Sequence, residues 1–129
     1  MLEVLPIQSK ETQEEICKKC NVKFNPELLA YSATVDDKLA GVCQFKLTDK
    51  GGMIYDLAPV IGANDFEALF VMGRGTLNFI DLCGVHVAFF VGDSPDDSLL
   101  RAVGFKKNDQ GIYEINLEGF FTDHCHQHK

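Results

Sequence analysis

The chain has 129 residues, of which 46% are hydrophobic and 24% charged, a balance that favours one domain around a single apolar core. Acidic residues number 19 and basic residues 12, so the formal net charge is −7. This charge excludes the usual nucleic-acid-binding proteins, which need clustered positive charge, and it argues against adhesion to anionic membranes.

The beginning of the sequence does not resemble a targeting signal, because residues 1–6 are too few and carry a charge early. The longest apolar run, residues 85–91, has the length of a buried strand rather than of a bilayer span. The five cysteines are odd in number and lack the spacing of small disulfide-bonded scaffolds. We therefore expect reduced thiols in a cytoplasmic protein.

The first half of the chain predicts a strand, a helix and three further strands. A short strand over residues 3–7 is followed by Ser9, a plausible N-cap for a helix that ends near Cys20. Alternating apolar residues then recur in three segments that are separated by tight turns, which predicts three antiparallel neighbours. These segments are residues 28–35, 39–47 and 53–59.

The second half alternates between helical and extended patterns. Apolar spacings of three and four predict a helix that Asn64 or Asp65 caps and Gly84 ends. A strand over residues 86–91 follows, and this crossover predicts parallel pairing with residues 53–59. Ser94 and Pro95 are the expected start of a last helix. The remaining predicted elements are a helix end at Gly104, a hairpin of residues 105–107 and 112–117, and a tail from residue 120 without regular structure.

Two glycines inside the long helix, Gly73 and Gly75, each cost about 1 kcal/mol relative to alanine. Close approach of the helix to the sheet is the expected reason, and a kink is the alternative. All these elements together predict one α/β domain over residues 1–129, with a mixed sheet and helices on both faces.

This order of elements, over residues 1–117, resembles that of the GNAT N-acetyltransferase superfamily. The run LLRAVGFKK at residues 99–107 is similar to the family's last helix where it continues into a Gly-Phe strand start. Leu57-Ala58-Pro59 looks like the end of the family's central strand, which precedes its phosphate-binding loop. Gly84-Val85 stands before an apolar strand at the family's spacing.

The resemblance implies that acetyl-CoA lies between two parallel strands that splay apart. Backbone groups freed by the splay would bind its pantetheine arm, and amides at a helix N-terminus would bind its pyrophosphate. The residues that the resemblance assigns to this cofactor act through their backbone. They are Leu57, Ala58, Pro59, Gly62, Ala63 and Asn64.

The sequence departs from the family pattern at the phosphate loop, Arg-x-x-Gly-x-Gly/Ala. Gly62 replaces the arginine, whereas Asp65 and Glu67 replace the two small residues. Each carboxylate should oppose pyrophosphate binding by about 1 kcal/mol, and Arg74 lies about three turns away along the helix. In the last helix, Leu100 occupies the position of the tyrosine that protonates the leaving thiolate in the family. Asp93 and Asp96 replace an asparagine and an alanine of the family pattern.

Asp56 is the predicted catalytic residue, because an acid within a central strand can act as a general base for an amine. The alternative is an acid at an edge or one bonded to a neighbouring turn. Tyr31 and Tyr55 could also move protons, although a ring in the core with its hydroxyl at the rim explains both.

Cys17 and Cys20 form a Cys-x-x-Cys pair that could gather zinc with the histidine-rich tail, or could simply pack in the core. The tail ligands would be His124, Cys125, His126 and His128. We predict no metal, because the tail lacks an element to hold it. Cys43 and Cys83 are interpreted as small core residues. Asp93, Asp96 and Asp97 could hold a divalent cation, but acids at a helix start explain them.

Two functions follow from these observations. The first is an N-acetyltransferase that moves an acetyl group from acetyl-CoA to an amine, and an acidic surface would suit a cationic acceptor such as a polyamine or lysine. The second is a catalytically inactive module with the same fold and an eroded cofactor loop, which acts through a protein partner or as a homodimer. A metal-binding or thiol-switch protein is a third hypothesis.

Overall fold

A computed structural model describes residues 1–121 of the chain. Seven strands and three helices alternate in the predicted order. The strands are β1 (Leu2–Pro6), β2 (Leu29–Val35), β3 (Lys38–Thr48), β4 (Gly51–Pro59), β5 (Val87–Phe90), β6 (Lys106–Lys107) and β7 (Tyr113–Asn116). The helices are α1 (Lys10–Lys19), α2 (Phe66–Leu82) and α3 (Asp97–Val103). No helix in this part of the chain is both long and apolar enough to span a membrane.

The seven strands form one mixed sheet in the order β1-β2-β3-β4-β5-β7-β6. Strands β2, β3 and β4 are antiparallel neighbours, as the tight turns predict, and β1 pairs antiparallel with β2. Strand β5 pairs with β4 in parallel through Gly52–Ile54 and Ala88–Phe90, which confirms the crossover expected from the sequence. The hairpin of β6 and β7 extends the sheet from the far edge of β5.

The helices cover both faces of the sheet, as expected. Helix α2 packs on one face with α3 beside it, over a core that contains Phe45, Ile54, Leu77 and Ile80. Helix α1 lies on the other face over a much smaller cluster of Cys20, Ala30 and Val42. The sheet is therefore anchored mainly by α2, and the α1 face is the thinner of the two layers.

The start of α3 differs from the prediction. Asp96 is the N-cap, and its side chain accepts a hydrogen bond from the Leu99 N–H at 3.1 Å, so Ser94 and Pro95 precede the helix instead of opening it. An aspartate carboxylate is as good a cap as a serine hydroxyl, and the sequence offers both within three residues. The predicted caps Ser9 and Asp65 and the end of α3 at Gly104 are confirmed.

The two glycines of α2 have different surroundings, which predicts opposite effects of alanine. A Cβ at Gly73 would lie 3.1 Å from Val103 Cγ2 and 3.2 Å from Leu57 Cδ2, so the expected close approach occurs there. At Gly75 the nearest atom, on Val4, is 3.7 Å away. We expect Gly75→Ala to stabilise the fold by about 0.5–1 kcal/mol in urea unfolding. Crowding should cancel that gain in Gly73→Ala, and equal gains in both variants would contradict this account.

Candidate active site

A bulge in β4 sets the geometry of the site. Gln44 of β3 pairs with Asp56 while the next residue, Phe45, pairs with Ile54, so Tyr55 is an extra residue in β4. A bulge bends a strand and increases its twist. The parallel ladder with β5 ends at the same place, where Val91 N–H donates to the Ile54 carbonyl at 2.8 Å. Beyond the bulge, no ladder pair joins β4 to β5 in the described chain.

The segment that follows β5 crosses the bulge at Gly92. A Cβ on Gly92 would overlap the Tyr55 carbonyl oxygen and would lie 2.8 Å from Phe90 Cζ. Only glycine fits at this contact. Above it the two strands diverge, and a cleft of about 800 Å³ opens between them, a size typical of small-molecule sites.

Backbone alternation decides which groups of β4 face the cleft. The Val60 N–H donates to the Ala40 carbonyl of β3, and the Ala58 carbonyl lies against Gly41 of β3. Both groups therefore face the β3 edge of β4. Peptide groups alternate in direction along a strand, so the Leu57 N–H and C=O face the opposite edge, towards the gap. Pro59 presents a carbonyl to that edge and has no N–H. Leu57 is thus the residue of this segment with a donor on the cleft edge.

Asp56 lies on the wall of the cleft on the α1 face of the sheet. Its Oδ2 accepts a hydrogen bond of 2.7 Å from Gln44 Nε2. Burial raises the pKa of Asp56, the nearby carboxylate of Asp93 raises it further, and the Gln44 hydrogen bond opposes both effects. Asp56 is therefore a partly buried carboxylate with a raised pKa at a concave surface.

Several backbone amides of the loop at the start of α2 already donate hydrogen bonds within the protein. The Ile61 N–H donates to the Lys19 carbonyl at the end of α1, and the Ala63 N–H donates to Val60. Asp65 Oδ1 accepts from the Ala68 N–H at 3.0 Å, and Glu67 stands exposed in the first turn. The helix N-terminus thus carries two carboxylates of the chain itself at the place where an anion would bind.

The same loop supplies three further predicted residues. Gly62, Ala63 and Asn64 all line the cleft mouth. Gly62 has a φ of +84°, in the left-handed region, with open space around its Cα. A side chain at this position would strain the backbone.

Two other expectations of the sequence concern residues away from the cofactor loop. Leu100 is fully buried, so its position offers no acid group. Arg74 Nε donates to the Val103 carbonyl at 2.6 Å, and its guanidinium lies over the rings of Phe70 and Phe120. Arg74 therefore holds the end of α3, and the prediction that it does not serve the phosphate loop agrees with this placement.

Three of the four cysteines in the described residues are buried, and Asp96 and Asp97 of the acidic cluster lie at the start of α3. Cys17 and Cys20 are buried, and burial raises the pKa of each thiol to about 11. Cys43 is buried, as predicted, but Cys83 is the exposed C-cap of α2, so the prediction of a core position is wrong for Cys83. Asp97 bonds the Tyr113 hydroxyl and Arg101. Within residues 1–121, no three His, Cys, Asp or Glu side chains gather as metal ligands, and the predicted tail ligands 124–128 lie outside the described residues.

Sequence reasoning missed two polar residues beneath the site. Gln13 of α1 and Gln44 of β3 are fully buried, and their side chains hydrogen-bond each other at 2.9 Å. A signal was present, because Gln44 shares a strand face with Val42 and Gln13 shares a helix face with Cys17. A glutamine at an apolar position of both patterns indicates a buried amide pair.

Comparison with solved structures places this architecture among known folds. The ribosomal-protein-S18-alanine N-acetyltransferase of Escherichia coli matches with a TM-score of 0.67 and 11% identity, over 91% of this chain and 94% of the other. The E. coli protein YhhK, assigned as an N-acetyltransferase and solved with coenzyme A bound, matches with a TM-score of 0.60 and 15% identity, over 90% and 97%.

Sequence comparison finds no match: no family model matches the chain, and no curated protein matches it. The structural likeness nevertheless extends over about nine-tenths of each molecule. The chain has the fold of the GNAT N-acetyltransferases.

Proposed function

We propose that this protein is an N-acyltransferase, which takes an acyl group from a pantetheine thioester such as acetyl-CoA and transfers it to an amine. The observation that carries the proposal is the position of Asp56. Its carboxylate lies on the wall of the cleft one residue after the bulge of β4, next to the Leu57 backbone at the cleft edge. A base and a hydrogen-bond donor thus flank the same opening.

Each of these groups has a role in acyl transfer. Asp56 accepts the proton that an ammonium group loses before its nitrogen attacks a thioester carbon. The Leu57 N–H donates to the carbonyl oxygen as negative charge develops on it. The new C–N bond forms as the C–S bond breaks, the nitrogen releases its second proton to water, and the departing sulfur takes up a proton. Because Leu100 is buried and apolar, we assign that proton to water and not to α3.

The cleft suits the two ends of acetyl-CoA unequally. Acetyl-CoA would supply the activated acetyl group, and the edge of β4 at Leu57 and Pro59 suits its pantetheine arm. The amides of Gly62 and Asn64 border the mouth, but Asp65 and Glu67 place negative charge there. Recognition should therefore come mostly from the arm and less from the phosphates.

The acceptor that suits this cleft is a cationic amine. Three carboxylates line the cleft, those of Asp56, Asp93 and Asp96, against one ammonium, that of Lys23. A polyamine or a lysine side chain would be attracted by this excess of negative charge. A cytoplasmic location and a homodimer stay predictions from the sequence.

Calorimetric titration with acetyl-CoA, acetyl-pantetheine and ADP tests the donor, in the presence of a chelator. Binding of the first two without ADP is the expected result, since the arm carries the affinity. Turnover is then followed by mass spectrometry of products from putrescine, spermidine and a lysine peptide, because the chain's own cysteines would react with thiol dyes. No binding at millimolar acetyl-CoA and acetyl-pantetheine would overturn the proposal in favour of the inactive module.

Removal of one carboxylate at the mouth should strengthen donor binding. We expect Glu67→Gln to raise the affinity for acetyl-CoA about fivefold, the equivalent of about 1 kcal/mol, because a like charge near the phosphates is lost. Acetyl-pantetheine has no pyrophosphate, so its affinity should not change. Glu118→Gln, at an exposed residue outside the cleft, is the matched control. An equal gain for both ligands would contradict an electrostatic cause.

A further inference from the structure

A continuous chain of hydrogen bonds runs beneath the sheet from the surface to Asp56. Lys10 Nζ donates to Gln13 Oε1 at 3.1 Å, and Gln13 Nε2 donates to Gln44 Oε1 at 2.9 Å. Gln44 Nε2 then donates to Asp56 Oδ2 at 2.7 Å. The chain links α1, β3 and β4 through two side chains that are wholly shielded from solvent.

The direction of every link is fixed by groups that can act in only one way. The Lys10 ammonium can only donate, and the Leu28 carbonyl, which receives Lys10 Nζ at 2.6 Å and Gln13 Nε2 at 3.3 Å, can only accept. Gln13 must therefore turn its oxygen to Lys10 and its amide nitrogen inwards. The Lys23 carbonyl receives Gln44 Nε2 at 2.9 Å and orients the second amide in the same sense.

The consequence at Asp56 is a donor that points permanently at its carboxylate. The oxygen and the nitrogen of each amide are both hydrogen-bonded. Gln44 therefore cannot flip to present its oxygen to Asp56 without breaking three hydrogen bonds. Among the described side chains, every buried polar atom has a partner, so the network is fully satisfied. An ionised carboxylate accepts such a bond more strongly than a protonated one.

We propose that Gln13 and Gln44 are positioning residues, which form a buried relay from Lys10 that holds the Asp56 carboxylate as a hydrogen-bond acceptor facing the cleft. The catalytic consequence rests on the proposed function, whereas the relay itself does not. Among the other charged groups, Asp93 acts against the ionised form of Asp56, and Lys23 is the one cationic residue of the described chain that lines the same cleft. Asp93 faces Asp56 from the loop after β5, and the thiols of Cys17 in α1 and of Cys20 at the C-cap of α1 lie on the other side.

The test is the pKa of Asp56, measured by carbon-13 NMR of its carboxyl group in the full chain. We expect an upward shift in Gln44→Met, because the donor is lost while burial and Asp93 remain. Gln13→Met should give a smaller shift in the same direction, since Gln44 keeps its bonds to Lys23 and Asp56. Gln8→Met, at an exposed glutamine just before α1, is the control and should give no shift.

An unchanged pKa in both variants would overturn the relay and leave the glutamines with a structural role. If Gln44→Met does not fold, by circular dichroism, Gln13→Met decides the outcome alone. In an active enzyme, the acid limb of the kcat/KM profile should move to higher pH in Gln44→Met. Absence of turnover in the unmodified protein would refute the proposed function and leave the NMR result valid.

Discussion

Replacement of Asp56 by asparagine is expected to lower kcat/KM for acyl transfer by about 10²- to 10⁴-fold, the contribution of a positioned general base. Asparagine keeps an oxygen for the Gln44 hydrogen bond and removes the ability to accept a proton. The measurement is the rate of product formation across pH 6 to 9. The loss should shrink at high pH, where free amine is abundant and needs no base.

The same substitution should stabilise the fold at neutral pH, which separates lost chemistry from lost structure. The pKa of Asp56 is raised above 3.8, so just above that pH the folded protein retains a proton that the unfolded chain has released. Stability therefore falls as pH rises through this window and stays lower above it. Asp56→Asn removes this cost, so its melting temperature should exceed that of the unmodified protein at pH 7 and converge with it below pH 3.8. A lower melting temperature at pH 7 would contradict the raised pKa.

Substitution of Gly92 by alanine is expected to cost about 3 kcal/mol of unfolding free energy, at the upper end for overpacking. The added carbon would overlap the Tyr55 carbonyl oxygen and would lie 3.0 Å from the carbonyl carbon. Both atoms are backbone of the bulge, so no side chain can rotate away. The strands must separate at the base of the cleft.

Urea unfolding measures this cost, with Gly75→Ala as the matched control of opposite sign. The bulge gives a second readout, because separation of β4 from the segment after β5 would move Asp93 relative to Asp56. The amide signals of Tyr55 and Gly92 should shift in a folded variant. A stability within 1 kcal/mol of the unmodified protein would show that the contact is looser than described.

Much of the fold followed from local patterns because each element carries its own signal. Period-two alternation separated by tight turns specified β2, β3 and β4, and the crossover through α2 specified parallel pairing with β5. The start of α3 was wrong because Ser94 and Asp96 are equivalent caps by residue type. Leu99 and Leu100 are buried against the rest of the fold, and such tertiary packing cannot be predicted from one segment.

The site was less predictable because it depends on register. Asp56 could be chosen from its place in a central strand, but the bulge at Tyr55 has no local sequence signal. That one extra residue puts Asp56 opposite Gln44, and it turns the Leu57 backbone to the cleft. The buried amides were missed for a similar reason, because their pairing depends on how α1 packs on β3, and neither segment alone shows that packing.

Helix α1 is expected to open more readily than the rest of the fold. It has ten residues, of which only Gln13 and Cys17 are buried, and helices this short are marginal on their own. Its end is tied to the cleft loop by the Lys19 carbonyl and the Ile61 N–H. Opening of α1 is therefore a local event of lower free energy than global unfolding, and it exposes the Asp56 side of the cleft. We expect the amide hydrogens of α1 to exchange with solvent deuterium well before those of α2.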